Sequence, residues 1–170
     1  MPLKAGPNGT FRKYSSSNGR YVKDDSFLQM LINKPLTKKE KKRLKERRLQ
    51  EELEQKAIKS PDPYLLETYR EIQRHIPNCV KMINEDVYFP SDKKRHELDI
   101  VTKDSIIEIK SARKPHCGTQ TKLQSTYANS RKMKHILYAP NISKIAMAEY
   151  TKKGINVINN LHSLIKELKK

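Results

Sequence analysis

Two short segments separated by a tight turn constrain the fold of this chain more than any other feature. Residues 97–101 and 105–110 alternate apolar with polar or charged side chains. The connection between them contains Lys103 and Asp104 and is short enough to join antiparallel strands, so the pattern predicts a β-hairpin. With these two residues at the centre of the turn, the register opposes Val101 with Ile106, Asp99 with Glu108, and Glu97 with Lys110.

This register gives the hairpin two different faces, because successive side chains of a strand point to opposite sides. One face is apolar and is expected in the core: Leu98, Ile100, Ile107 and Ile109. The other face is charged and is expected to need no packing: Glu97, Asp99, Glu108 and Lys110. Opposed Cβ atoms lie about 4.5–5.5 Å apart, so two facing carboxylates repel each other unless a cation lies between them.

The charged face predicts a metal site. Oxygen ligands without a neighbouring Cys or His favour Mg²⁺ or Mn²⁺ over zinc. Lys110 would lie beside the ion, where it would hold or help to deprotonate a water molecule, while the metal polarises a phosphoryl oxygen. The alternative is a solvent-facing hairpin whose charges form only cross-strand ion pairs, with Glu97 and Lys110 as the natural pair.

The segments around the hairpin predict an α/β domain. Apolar residues spaced four, three and four apart, from Leu65 to Ile76, form one face of a helix that follows Asp62 as N-cap. Further strands are predicted at 80–89, 135–139 and 155–158, and further helices at 118–134, 141–153 (with Gly154 at the C′ position) and 161–168. The order is αβββαβαβα, which is typical of a mixed sheet with helices on its faces.

The first sixty residues have a different character. Residues 1–26 are polar and rich in Gly, Ser and Asn, which predicts a disordered or loosely attached tail. Residues 27–32 form a short apolar patch that we expect to dock on the core, with docking on a partner as the alternative. Thr37 and Glu40 have the spacing of a capping box, and a basic helix with sparse apolar positions is predicted to follow on the surface.

That helix ends at Ser60-Pro61-Asp62-Pro63, where regular apolar periodicity begins. We therefore divide the chain into an extension, residues 1–59, and a domain, residues 60–170.

Charge and composition narrow the partners. The 36 Lys and Arg residues against 19 acidic residues give a net charge of +17, which favours a polyanionic partner, with nucleic acid ahead of an anionic membrane surface. Two cysteines suit a reducing compartment. No apolar run is long enough to span a membrane, and the amino terminus lacks the apolar stretch of a signal peptide, so we expect a soluble, cytoplasmic site of action.

The hairpin resembles the D…ExK signature of the PD-(D/E)XK nuclease superfamily. Asp99 is followed after eight residues by Glu108-Ile109-Lys110, and apolar residues surround both segments as they do in that family. Leu98 stands where the motif's name has Pro. The resemblance covers about residues 63–157 and implies a restriction-endonuclease-like αβββαβ core with a mixed sheet, preceded here by the basic helical extension.

The same resemblance implies the activity and its residues. It implies an Mg²⁺- or Mn²⁺-dependent endonuclease acting on DNA or structured RNA, with Asp99, Glu108 and Ile109 holding the metal and Lys110 taking part in catalysis. Ile109 has only main-chain atoms to offer. The family often adds a glutamate from the first helix and Lys or Gln from the helix after the third strand. Glu67 (with Glu71 one turn further on) and Gln124 (with Gln120 and Lys122 nearby) are the candidates, each with an ordinary helix surface as the alternative.

Small basic members of this superfamily include Holliday-junction resolvases, repair nucleases and interbacterial nuclease toxins. In a toxin, an immunity protein would be a further partner. The rival function is a non-catalytic nucleic-acid-binding protein, in which the basic helix contacts phosphates and the hairpin is structural.

Overall fold

The computed structural model describes residues 35–170 and, before them, the backbone of three short strands. The chain forms two compact units, Met1–Leu44 and Lys45–Lys170. Within the described residues no helix is long and apolar enough to cross a membrane.

The first unit contains a small antiparallel sheet. Its strands are β1 (Lys4–Ala5), β2 (Phe11–Tyr14) and β3 (Tyr21–Lys23), in the order β1-β2-β3. These three segments thus have extended backbone, where the sequence predicted a disordered or loosely attached tail without regular structure. Aromatic and β-branched residues occur in β2 and β3, and such residues favour strands. The apolar patch at residues 27–32 lies outside the described residues.

Helix α1 (Lys38–Lys59) begins with the predicted capping box. Thr37 Oγ1 accepts a hydrogen bond from the Glu40 N–H at 3.2 Å, and the Thr37 N–H donates to Glu40 Oε2 at 2.8 Å. The expectation of a surface helix is wrong for its second half, because Leu53 and Ala57 are each 2% exposed and belong to the main core cluster. These two residues are four apart and therefore lie on one face of the helix. The helix also contacts the next one, since Arg70 Nη2 lies 2.9 Å from Glu54 Oε1.

The second unit continues in the predicted order. Its elements are α2 (Leu65–His75), β4 (Val80–Phe89), β5 (Lys94–Thr102), β6 (Ser105–Ile109), α3 (Thr119–Ser130), β7 (Lys134–Tyr138), α4 (Lys144–Lys152), β8 (Val157–Ile158) and α5 (Leu161–Leu168).

Some helix ends differ from the prediction. Helix α2 is preceded by Tyr64 at its N-cap, while Asp62 Oδ1 accepts from the Tyr64 N–H at 2.8 Å in a turn before it. Helix α3 ends four residues early, because Lys132 has a φ of 56° and cannot continue a right-handed helix. Gly154 has a φ of 76° just after α4, as its predicted C′ position requires.

The five strands of this unit form one mixed sheet in the order β4-β5-β6-β7-β8. The β4, β5 and β6 strands are antiparallel, and β7 and β8 are parallel to β6. In the hairpin, Val101 pairs with Ile106 and Ile100 with Ile107, so the predicted turn and the register next to it are confirmed. The pairing does not continue to Asp99–Glu108 or Glu97–Lys110.

Helices cover both faces of this sheet. On one face, strand residues pack against α1, α2 and α5: Ile83, Ile100, Ile107, Ile109 and Ile136. On the other, Val101 and Ile106 pack with Ala128 of α3, and Leu137 packs with Ala146 of α4. The prediction that Ile100, Ile107 and Ile109 are core residues is confirmed. The expectation that the opposite face needs no packing is wrong, because α3 lies over it.

Leu98 departs from the predicted alternation. It packs with Val101 and Ile106, although strict alternation would place it with Ile100. Leu98 and Ile100 thus belong to core clusters on opposite sides of the sheet, so the two faces exchange along β5 at Asp99. In the neighbouring strand, Asn84 has a φ of 46° between the pairs Ile83–Ile100 and Glu85–Leu98.

Candidate functional site

The hairpin brings Asp99, Glu108 and Lys110 together at one end of β6. Asp99 Oδ2 accepts a hydrogen bond from the Ile109 N–H at 2.6 Å, which ties the β5 carboxylate to the strand that carries Glu108. Lys110 Nζ lies 3.1 Å from Glu108 Oε1. The Lys110 N–H donates to the Tyr138 carbonyl at 2.9 Å, so the residue after β6 is held against β7. The structure thus places all three predicted residues in one cluster.

Glu108 is the most buried member of this cluster, at 1% exposed. It lies on the sheet face under α3, where Thr121 Oγ1 is 3.4 Å from its Oε1. His135 Nε2 lies 3.6 Å from Glu108 Oε2, within ion-pair range but too far for a hydrogen bond, and neither atom has a hydrogen-bond partner within residues 35–170. Burial acts to raise the pKa of Glu108, but His135 and Lys110 outweigh it and lower that pKa below its ordinary value.

Asp99 has the opposite electrostatics. Burial raises its pKa from 3.8 to about 6, against the hydrogen bond from Ile109 and the charge of Lys110. The negative charges of Glu108 and Asp62 add to the increase. Asp99 therefore carries its charge at neutral pH at a cost in free energy, which a nearby cation would remove.

Asp62 is a neighbour of the site that the sequence did not single out. Its charge raises the pKa of Asp99, so its carboxylate lies in the surroundings of the cluster. Asp62 was predicted to be a helix N-cap, and its side chain does accept a hydrogen bond from the Tyr64 N–H, in the turn before the helix. The sequence does not distinguish an Asp that caps a helix from an Asp in the turn before the helix, because the local turn geometry is the same in the two cases.

Glu67 lies further from the cluster. It is exposed on α2. Burial raises the pKa of Tyr138 to about 12, and electrostatic interactions with Glu67 and Tyr64 contribute to this increase. Tyr138 is the residue whose carbonyl holds Lys110. Glu71, one turn on, pairs with Arg74 and His75 on its own helix. Glu67 thus faces the edge of the site, and it stays a predicted member.

Gln124 is buried on α3, at 1% exposed. Its Nε2 donates to the Glu97 carbonyl at 3.2 Å, and its Oε1 is buried without a hydrogen-bond partner. It therefore contacts the β5 main chain just before Asp99. Gln120, the alternative, is exposed.

The predicted pair between Glu97 and Lys110 is not formed. Lys110 contacts Glu108 instead, and Glu97 is exposed and lies opposite Asp86 in the sheet. The pairing of β5 with β6 ends at Ile100 and Ile107, and Lys110 lies beyond the end of β6, so Glu97 and Lys110 are not opposed in the sheet.

His135 and Thr121 are contacts of Glu108 that sequence reasoning missed. His135 was interpreted only as the first residue of a buried strand. The parallel pairing of β6 with β7 sets Ile106 beside His135 and Glu108 beside Leu137, so the imidazole lies diagonally across from the carboxylate. Pairing between strands so far apart along the chain leaves no local pattern in the sequence.

The oxygen atoms of the cluster are candidate ligands for a metal ion. In the part of the chain that the structure describes, no three His, Cys, Asp or Glu side chains form a metal-binding group. Two carboxylates and the Ile109 carbonyl are nevertheless the hard oxygen donors that Mg²⁺ accepts, with water completing its shell. The buried, unpartnered Glu108 Oε2 and the raised pKa of Asp99 are the features that a cation would relieve. The residues fit the ion.

Comparisons with family models, curated proteins and solved structures found no match to this chain. Its function is therefore argued from the geometry above.

Proposed function

We propose that this chain is an Mg²⁺- or Mn²⁺-dependent nuclease of the PD-(D/E)XK kind, built on a restriction-endonuclease-like core. The observation that carries the proposal is the cluster itself: a β5 carboxylate tied to Ile109 and a buried β6 carboxylate 3.1 Å from Lys110. The surrounding order, one helix, three antiparallel strands, a helix and a parallel strand, is consistent with it.

Each residue has a role that follows from its contacts. Asp99 and Glu108 would hold the metal, with the Ile109 carbonyl as a third oxygen donor. A bound metal would supply Lewis-acid stabilisation of the phosphoryl charge and a more acidic water. Lys110 is a cation already next to Glu108, where its ammonium would orient the attacking water and offset charge on the phosphoryl group. Gln124 supports the main chain before Asp99, and Glu67 lies at the rim.

Nucleic acid is the proposed partner. The net charge of +17 favours association with a polyanion, and six basic residues between 41 and 48 are exposed on α1. DNA and structured RNA such as tRNA fit this charge equally. A toxin assignment, with an immunity protein as partner, rests only on the resemblance.

One experiment tests the activity. The protein is incubated with supercoiled plasmid, single-stranded DNA and total tRNA in Mg²⁺, in Mn²⁺ and in EDTA. The proposal requires cleavage of at least one substrate with metal and none in EDTA. Cleavage that persists in EDTA, or that Glu108→Gln leaves unchanged, would refute it.

A second candidate is a non-catalytic nucleic-acid-binding protein. The favouring observation is that Lys110 and His135 already surround the Glu108 carboxylate with positive groups, as they would in a structural ion cluster. This function requires binding that is equal in Mg²⁺ and EDTA and no cleavage of any of the three substrates.

A further inference from the structure

A cavity of about 720 Å³ lies beside the cluster, between α3, β7 and the loop before β8. Its volume is in the range of small-ligand sites in proteins. Its wall includes lysine, histidine, amide and hydroxyl side chains, among them Lys122, Ser125, Asn129, His135, Lys153 and Asn156. We propose that this cavity binds one nucleotide of the nucleic-acid substrate, an inference that takes its substrate class from the proposed function.

The charge of the wall favours an anion. Lys122 and Lys153 both line the cavity, and no carboxylate is among its lining residues. Neither lysine forms an ion pair within residues 35–170, although Lys153 Nζ lies 5.6 Å from the centre of the Tyr150 ring. Two lysine ammonium groups that lack a counter-ion are suited to the phosphate of a nucleotide.

The neutral groups of the wall favour a sugar and a base. The side chains of Ser125, Asn129 and Asn156 make no hydrogen bond in the described part of the chain, so their donors and acceptors are available to a ligand. An amide offers both a donor and an acceptor, which is what the edge of a nucleobase presents in return. Inorganic phosphate alone would leave these groups unused.

The cavity also reaches the cluster. His135 lines it with a side chain that is only 6% exposed, and the same ring places Nε2 3.6 Å from Glu108 Oε2. Thr121 lines it as well, with its hydroxyl 3.4 Å from Glu108 Oε1. The cavity and the carboxylate are therefore separated by single side chains. A single-stranded or flipped-out nucleotide in the cavity would be separated from Glu108 only by the side chains of His135 and Thr121.

The test measures binding of the four nucleoside 5′-monophosphates and of inorganic phosphate to the full chain in EDTA, by calorimetry. At least one nucleotide should bind about tenfold or more tightly than phosphate. Lys122→Gln and Lys153→Gln should each weaken that binding by about tenfold, the loss expected for one charge-assisted hydrogen bond. Lys152→Gln is the matched control, because it removes the same charge from the neighbouring exposed position and should leave the affinity unchanged.

Ser125→Tyr is a second variant, which places an aromatic ring in the cavity and should weaken nucleotide binding at least about tenfold while far-ultraviolet circular dichroism shows a folded chain. Equal affinity for phosphate and nucleotides would overturn the proposal, and so would an equal loss in Lys152→Gln or full binding by folded Ser125→Tyr. Binding in EDTA is independent of cleavage. Nucleotide binding without metal-dependent cleavage would refute the nuclease and leave the pocket, whereas cleavage without nucleotide binding would refute the pocket alone.

Discussion

Replacing Asp99 with Asn tests the electrostatic account of the site most directly. Asn retains an oxygen that accepts the hydrogen bond now made by the Ile109 N–H at 2.6 Å, and it removes the charge. The pKa of Asp99 is raised from 3.8 to about 6, which corresponds to about 3 kcal/mol at 1.36 kcal/mol for each pH unit. We therefore expect Asp99→Asn to raise the free energy of unfolding of the metal-free protein by as much as about 3 kcal/mol at pH 8.

The direction of the pKa shift determines whether the stability of the wild type rises or falls with pH. A carboxyl group whose pKa is higher in the folded state binds a proton there first, so the wild type loses stability as the pH rises from about 4 to about 6. Above that range the full cost is present, and at pH 4.5 only about 1 kcal/mol of it remains. The advantage of Asp99→Asn should shrink accordingly as the pH falls.

The assay is urea unfolding at pH 4.5 and pH 8 in EDTA, with Asp104→Asn as control. Asp104 lies in the turn of the same hairpin and is exposed, so its substitution removes an equal charge without relieving burial. A stability difference for Asp99→Asn that is the same at both pH values would refute the reasoning, and so would an equal effect of Asp104→Asn.

Magnesium should narrow the stability difference between the two proteins, because only the wild type keeps the charged ligand at position 99. An ion present at ten times its dissociation constant stabilises the folded state by about 1.4 kcal/mol. We expect this gain in the wild type at pH 8 and its absence in Asp99→Asn. Stabilisation of both proteins by the same amount would argue against Asp99 as a ligand while leaving the burial argument intact.

Three further predictions concern the cluster, the core and the first helix. Lys110→Ala should lower the cleavage rate by about a hundredfold or more, while Mg²⁺ binding measured by calorimetry changes little. Lys103→Ala, in the exposed turn, is the charge-matched control. Full activity of Lys110→Ala would exclude a catalytic role for Lys110. Ile107→Ala should cost about 2–5 kcal/mol in urea unfolding, and Val101→Thr about 1–3 kcal/mol, because both are buried; an unaffected Val101→Thr would show that α3 does not seal that face. A chain that starts at residue 45 should fold, whereas one that starts at residue 59 lacks Leu53 and Ala57 and should be less stable by at least about 3 kcal/mol, so equal stability of the two would contradict the packing of α1.

Local patterns in the sequence determined a large part of this protein. Alternation in the hairpin predicted its register and the burial of Ile107 and Ile109, because a slip of one residue would bury Glu108 and Lys110 on the wrong face. The capping box at Thr37 and the C′ glycine at Gly154 were read correctly, since both depend on contacts within a few residues. Helix and strand order followed from the same short-range information.

Only the tertiary structure decided what surrounds the charged residues. The alternation places Glu108 on the face of the hairpin opposite Ile107 and Ile109. Whether that face is exposed to water or covered by a helix depends on where α3 packs, and α3 covers it. The contact of His135 with Glu108 arises from parallel pairing of β6 and β7 across more than twenty residues, and the burial of Leu53 depends on packing against elements distant in the chain. Such contacts are selected by the free energy of the whole packed core, so no window of the sequence contains them.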